Sequence, residues 1–354
     1  PTMGVPTVVY DPAIRASLSK EYEFGAELQF LNNRLGADIS VYQKDGVDQI
    51  LPLSTTPSSG SSSVFINAGL IRSKGWDLIL NARPVSGRDF RWDIQFNLSR
   101  NISEVLDLDT SRNIRNYSLG TASFGPTVNS RVGEEWGTFV GRSVRYDAKT
   151  GLPVINAAGT IQRDNNVILG SALPDYTGGG VTTFSYKAFS ASATFSFQKG
   201  GQFFSTSKMF LLYSGLHSQT VGLNDKGNPI RDAVADGGGV RLDGALADGT
   251  TKTVYVDAQT YFGNMQAIHS NFMEDASYLK MSEARVSYDL PVSNWTKFVK
   301  NASLSVFARN PWLISAKTKT WGIDPSEIEN ANSFYEGGQL PPVRSFGVNL
   351  SVGF

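Results

Sequence analysis

Five stretches of the chain alternate apolar and polar residues without a slip for eight to ten positions. Glu21–Phe30 sets Tyr22, Phe24, Ala26, Leu28 and Phe30 against Glu21, Glu23, Gly25, Glu27 and Gln29, and Leu35–Tyr42, Phe90–Ser99, Phe189–Gln198 and Phe346–Phe354 do the same. Strand side chains point alternately to opposite faces, so each stretch predicts a β-strand with one oily and one polar side. One such strand fits a half-buried soluble sheet equally well. The lengths together do not: soluble strands cluster near ~5–6 residues, whereas about 9–11 are needed to cross a bilayer at a tilt. No run approaches the ~18 apolar residues of a transmembrane helix. The spacing therefore predicts a transmembrane barrel, the other fold that satisfies its backbone hydrogen bonds in lipid.

Nine strands are predicted, over 19–30, 35–45, 69–83, 89–101, 177–187, 189–199, 277–290, 301–311 and 343–354. Short links such as Leu31–Arg34 and Tyr186–Phe189 alternate with long Gly/Ser/Asn/Asp-rich stretches over 45–66, 102–176, 200–276 and 311–342. Long structureless loops sit badly in a compact soluble domain. In an outer-membrane barrel they are the external loops, and the short links are periplasmic turns. The fold class is all-β, a transmembrane antiparallel β-barrel segment. Nine strands, the first descending from an external loop, do not make a single-chain bacterial barrel. Residues 1–354 are accordingly expected to be the C-terminal part of a larger barrel, with Arg91, Asp93, Gln95 and Ser192 facing its lumen.

Composition removes several other classes. Thirty-two basic against 32 acidic residues leave no basic face for nucleic acid. With no cysteine and two histidines, His217 and His269, thiolate chemistry is excluded and a histidine-ligated metal centre has little to draw on. Glu134 and Glu135 are adjacent and on a strand would point apart, the histidines have no Gly-x-Ser-x-Gly elbow to serve, and no enzyme is expected. Thr177-Gly178-Gly179-Gly180 lacks the Lys and helix of a phosphate loop and reads as glycines relieving crowding. Asp147–Gly151 and Asn224–Asn228 read as Asx turns rather than calcium loops. No metal or cofactor is expected. Five aspartates between Asp232 and Asp257 leave room for an external Ca²⁺, but no ligand pattern supports one.

Seven motifs then occur in a familiar order. Glu27 precedes Asn33-Arg34-Leu35. Asn67-Ala68-Gly69 leads to Lys74-Gly75-Trp76-Asp77, and Pro174-Asp175-Tyr176-Thr177-Gly178-Gly179 follows. Ser277-Tyr278-Leu279-Lys280, Arg309-Asn310, Gly322-Ile323-Asp324-Pro325 and Leu340-Pro341-Pro342-Val343-Arg344-Ser345-Phe346-Gly347 complete the set. Along nearly its whole length the chain resembles the C-terminal barrel of SusC/RagA-type TonB-dependent outer-membrane transporters. It departs from the pattern at Asp77, where a Glu is usual, and at Ala308, where a Gly is usual. The resemblance implies a 22-strand barrel, with the plug, the TonB-contacting segment and the N-terminal strands outside this chain. It implies import of oligosaccharide or peptide across the outer membrane of a Gram-negative bacterium. The partners it implies are a SusD-like surface lipoprotein, the rest of the barrel, TonB and outer-membrane lipid. Two rival readings are a structural or docking barrel in a larger envelope complex and a secreted β-rich glycan-binding module.

Aromatic residues in the predicted external loops are candidate substrate contacts, because flat amphipathic rings stack on sugars or grip peptides at low entropy cost. These are Trp136, Tyr146, Tyr261, Phe262, Trp312 and Trp321. At the other end, Phe346, Val348, Leu350, Val352 and Phe354 resemble the C-terminal signal by which outer-membrane barrels are recognised for assembly.

Overall fold

The computed structural model describes residues 8–54, 63–109, 113–292, 298–328, 334–338, 340 and 342–354. Nine long strands form one antiparallel sheet in which every strand pairs with its neighbours in sequence. They are β1 (Leu18–Phe30), β2 (Leu35–Val47), β3 (Leu70–Ser86), β4 (Phe90–Asp107), β5 (Pro174–Tyr186), β6 (Phe189–Gly200), β7 (Tyr278–Leu290), β8 (Asn301–Ala316) and β9 (Ser345–Gly353). All nine predicted strands are present. The sheet is open, with β1 and β9 at its edges.

Register keeps the two faces distinct across the whole width. One row of partners runs Phe30, Leu35, Ala82, Ile94, Thr182, Ala193, Ala284, Ala308, Phe346. The row one residue away runs Gln29, Gly36, Asn81, Gln95, Val181, Thr194, Glu283, Arg309, Ser345. Directly opposed residues share a face, so the first row is oily and the second mostly polar. Arg91, Asp93, Gln95 and Ser192 all lie on the polar face, where Arg83 and Arg91 hold Asp93 at 2.7 and 2.5 Å.

Turn chemistry sets this register. Leu31, Asn32 and Asn33 all take positive φ between β1 and β2, a conformation that Asn tolerates better than most residues. Lys187 turns β5 into β6 at φ 51°. Within β5, Gly178 leaves room for its neighbours: a Cβ there would lie 2.7 Å from the Phe197 ring. That ring stacks on Phe96 at 6.0 Å, and the glycine is what lets the two aromatics close over the strand.

Among the described residues no core lies behind the oily face. Phe24 is 75% exposed, Phe346 76% and Val348 68%. The largest fully buried side chains, among them Phe139, Phe203, Phe204, Phe272 and Met209, lie instead in a folded body built from the long connections. Those connections, expected to be structureless, carry much regular structure. Asn116–Thr121, Thr127–Arg131, Thr138–Val144 and Arg163–Ser171 form a four-stranded sheet. Gln202–Ser205 pairs with Met273–Asp275 and Tyr335–Glu336, and Val240–Ala245 pairs with Thr251–Val256. Two helices, α1 (Thr206–Tyr213) and α2 (Ala258–Met265), pack against one another in the same body. β3, β4 and β8 run 17, 18 and 16 residues, beyond the ~9–11 a bilayer needs. The upper end of β4 enters this body, with Val105 fully buried.

Candidate functional site

The body's core is made of Phe204, Met209, Leu212, Phe262 and Phe272. α1 starts because Ser205 accepts the Lys208 amide at 3.1 Å, satisfying one of the free N–H groups of a helix start. The buried Glu336 carboxylate accepts the hydroxyls of Ser205 and Ser207 at 2.7 and 2.5 Å, pinning that turn to the last connection. α2 starts on Asp257, which accepts the Thr260 amide at 3.1 Å. Between the helices lies a cavity of about 840 Å³. Tyr213, Asp257, Gln259, Thr260 and Asn264 offer it hydroxyl, carboxylate and amide groups, and Phe262 forms part of its wall. Arg231 also lines it, but its guanidinium donates to Thr220 O at 2.8 Å, to Thr220 Oγ1 at 2.7 Å and to Gly215 O. Arg231 therefore shapes the cavity. The remaining groups, one of them the Asp257 carboxylate, suit a polar ligand rich in hydroxyl or amide groups.

Two charge clusters brace the body. Lys280, at the top of β7 and only 4% exposed, reaches Asp324 and Glu327 at 3.1 Å and Ser326 at 2.9 Å. It ties the wall to the 324–327 turn. His269 is buried, and Arg142 approaches its Nε2 through Nε at 3.1 Å and Nη2 at 2.6 Å. Burial and the nearby Arg142 and Arg163 charges lower its pKa to about 4, so the imidazole is neutral at pH 7 and serves as an acceptor.

The six aromatics do not form one platform. Tyr261, Phe262 and Trp321 pack on the same core, and burial raises the Tyr261 pKa. Trp321 stacks on His217 at 4.0 Å with Lys208 4.5 Å above its ring. Trp136 meets Phe334 edge-on at 6.1 Å. Tyr146 stands 60% exposed beside a bridge to Pro153. The sequence pattern puts Trp312 in a loop, whereas it lies in β8. There a bulge at Asn310 (φ 48°) resets the register, and Trp312 stands opposite Met281, whose other neighbour is Phe195 on the oily face. Tyr213, Gln259 and Asn264 were not predicted. Asp257 followed by an apolar pair at Ala258 and Phe262 is the helix-start signal that could have found α2.

The two calcium-like segments are turns. Asp147 accepts from the Lys149 and Thr150 amides, and Asn224 from those of Lys226 and Asn228. On the oily face Phe346, Val348, Leu350 and Val352 oppose Ala308, Val306, Leu304 and Ala302, and Phe354 follows at 80% exposure.

A one-sided nine-strand meander, oily without and polar within, with a folded body at the end of its long connections, is a section of β-barrel wall of the outer-membrane type. A family model described as "TonB dependent receptor-like, beta-barrel" matches residues 2–177. The chain is 26% identical to TonB-dependent receptor P26 of Formosa agariphila, over all of this chain and 36% of the relative. It is 23% identical to TonB-dependent receptor SusC of Bacteroides thetaiotaomicron, over 93% of this chain and 31% of the relative. Its fold matches the RagAB peptide importer in the closed-closed state with a TM-score of 0.66 at 20% identity, over 94% of this chain and 35% of that one. Residues 2–177 thus match the TonB-dependent receptor-like β-barrel family, and along nearly its whole length the chain is similar to TonB-dependent receptors, SusC among them. It spans about a third of the length of these relatives.

Proposed function

We propose that the chain supplies a wall sector and an external loop body to an outer-membrane nutrient importer of the SusC type. The observation that carries this is the oily face, continuous across nine strands and left uncovered by the described residues. In water it would be an exposed apolar patch far beyond the few hundred Å² a soluble monomer tolerates, which argues against a secreted module. In a bilayer it meets hydrocarbon.

In this reading residues 1–354 are the C-terminal part of the barrel. Further strands pair with the edges of β1 and β9, since an open sheet edge has no partner in lipid. A plug and TonB supply the gate and the work, and a SusD-like lipoprotein closes over the loop body. Substrate is oligosaccharide or peptide. The cavity between α1 and α2 is a capture subsite whose hydroxyl, amide and carboxylate groups suit either. Tyr261, Phe262 and Trp321 act by holding the body rigid. Tyr146 and Trp136 are the exposed and half-buried rings left for direct contact, and Trp312 belongs with the wall's aromatic anchors. Phe346 to Phe354 serve as the assembly signal.

The reading is tested by affinity purification of the intact protein from outer membranes, with uptake of labelled oligopeptide and oligosaccharide pools in cells with and without TonB. A lipoprotein partner and TonB-dependent uptake of one pool are expected. A protein recovered only in the soluble fraction, or uptake unchanged by its loss, would overturn it.

A further inference from the structure

The oily face is not oily to its upper end. Toward the loop body, successive rows of partners change character. Phe24, Val41, Trp76 and Arg100 form one row, and Tyr22, Gln43, Lys74 and Ile102 the next. These residues enclose an outward-facing groove of about 540 Å³. Its floor is aromatic and aliphatic and its upper rim is basic. Lys199 pairs with Tyr176 beside it, and the Arg100 guanidinium lies 5.4 Å from the Tyr176 ring.

The groove lies where the hydrocarbon ends. Tyr176 and Tyr186 mark the two ends of β5 on the oily face. They are ten residues apart (186 − 176), which is about 33 Å along a strand and about 25 Å at a tilt of roughly 40°, the height of the apolar band of an outer-membrane barrel. Trp76 packs on Tyr176 at 6.2 Å, as expected of the aromatic girdle at the interface.

Two cations in this groove have unspent capacity. Lys74 is exposed and makes no ion pair among the described residues. Of the two carboxylates diagonal to it in the strand rows, Asp45 is already held by both arms of Arg72 at 2.7 and 2.8 Å, and Glu104 stands directly opposite that same arginine. Arg100 Nε is buried and has no hydrogen-bond partner among the described residues. A buried guanidinium N–H without an acceptor is costly, and arginine pairs with phosphate through parallel N–H bonds. Besides Lys199, the charges of β1 to β4 nearest the groove, Lys20, Arg72, Asp45 and Glu104, lie one row higher.

We infer that this groove binds the phosphorylated headgroup of an outer-leaflet lipid. The phosphate sits between Lys74 and Arg100, and the acyl chain descends over Phe24, Val41 and Trp76. The inference rests on the oily face lying in the membrane. It adds a specific anionic lipid site at the seam between wall and loop body, where a bound headgroup steadies the upper ends of β1 to β4.

The test uses the intact protein in phosphatidylcholine vesicles, with a fluorophore on a cysteine at Ile102 or, as control, at Val306. Quenching by brominated phosphatidic acid is compared with quenching by brominated phosphatidylcholine. Preference for the phosphate monoester is expected at 102, weakening by about fivefold for each of Lys74→Gln and Arg100→Gln, with none at 306. Free inorganic phosphate is expected not to compete. Equal quenching by both lipids at 102, equal preference at 306, a preference unchanged in the double variant, or displacement by inorganic phosphate would each overturn the inference. Heat-modifiable migration reports assembly separately. A protein that assembles without lipid preference refutes the lipid site alone, whereas one that never assembles refutes the membrane reading beneath it.

Discussion

Replacing Phe96 with arginine tests the sidedness of the wall at its middle, and replacing its neighbour Gln95 is the control. Phe96 stands between Leu80 and Gly180 and stacks on Phe197 at 6.0 Å, while Gln95 stands between Asn81 and Val181 on the other face. Phe96 is six residues from Phe90 at the turn, about 20 Å along the strand and about 15 Å vertically at a tilt of roughly 40°. That is within a few Å of the midplane of a band about 25 Å tall. Arginine facing lipid there costs about 2–4 kcal/mol. The same change one residue away meets the polar face and costs about 0–1 kcal/mol. Urea titration of the intact protein in vesicles should separate the two variants by about 5- to 700-fold in the unfolding constant. Equal midpoints, or a larger loss for Gln95→Arg, would refute the facing of the whole sheet, because one register links both residues to all nine strands.

Other outcomes follow from the loop body. Lys280→Met strands the buried Asp324 carboxylate and should cost about 3–5 kcal/mol. It should speed proteolysis near residue 324, and Lys280→Met/Asp324→Asn should recover part of the loss. His269, whose pKa in the folded state falls to about 4 from 6.5, binds a proton more readily unfolded. Its contribution, on the order of 3 kcal/mol, is therefore complete above about pH 6.5 and is lost as pH falls toward 4. A flatter pH dependence of melting is expected for His269→Gln, and an unchanged slope would contradict the buried neutral imidazole. Gln259→Ala, on the cavity wall, should weaken substrate capture about fivefold, one hydrogen bond's worth, with no change in melting. Leu350→Arg lies three residues from the end of β9, nearer the interface than Phe96, and should cost less, about 1–2 kcal/mol.

The wall was readable from the chain because a strand with lipid on one side and water on the other must alternate at every residue. From Phe189 to Gln198 that demand leaves no position undetermined. The loop body answers to a different rule. Its strands are short, such as Thr127–Arg131 with three central residues buried, and they bury both faces against one another, so alternation disappears. α1 and α2 are eight residues each, two turns, too short for a helical period to stand out of Gly- and Asn-rich surroundings. Pro311 reads as a strand end, which is why the sequence pattern leaves Trp312 outside the strand. The bulge at Asn310 lets the proline sit in β8 while pairing resumes at Trp312, a site that tolerates proline. The candidate site was half seen: Phe262 and Tyr261 drew notice as aromatics, whereas the hydroxyl and amide groups that give the cavity its chemistry have no pattern of their own.

The chain has no cysteine, which makes a cysteine scan along β6 in intact cells the most direct test of the wall. With the rest of the protein made cysteine-free, Ser190, Ser192, Thr194 and Ser196 should react, as cysteines, with a membrane-impermeant maleimide that enters the lumen. Ala191, Ala193, Phe195 and Phe197 should react only with a lipid-soluble one. A period of two in reactivity over these eight positions is the result that membrane placement requires. Uniform reaction with the impermeant reagent would mean that both faces meet water, and the barrel account would fail.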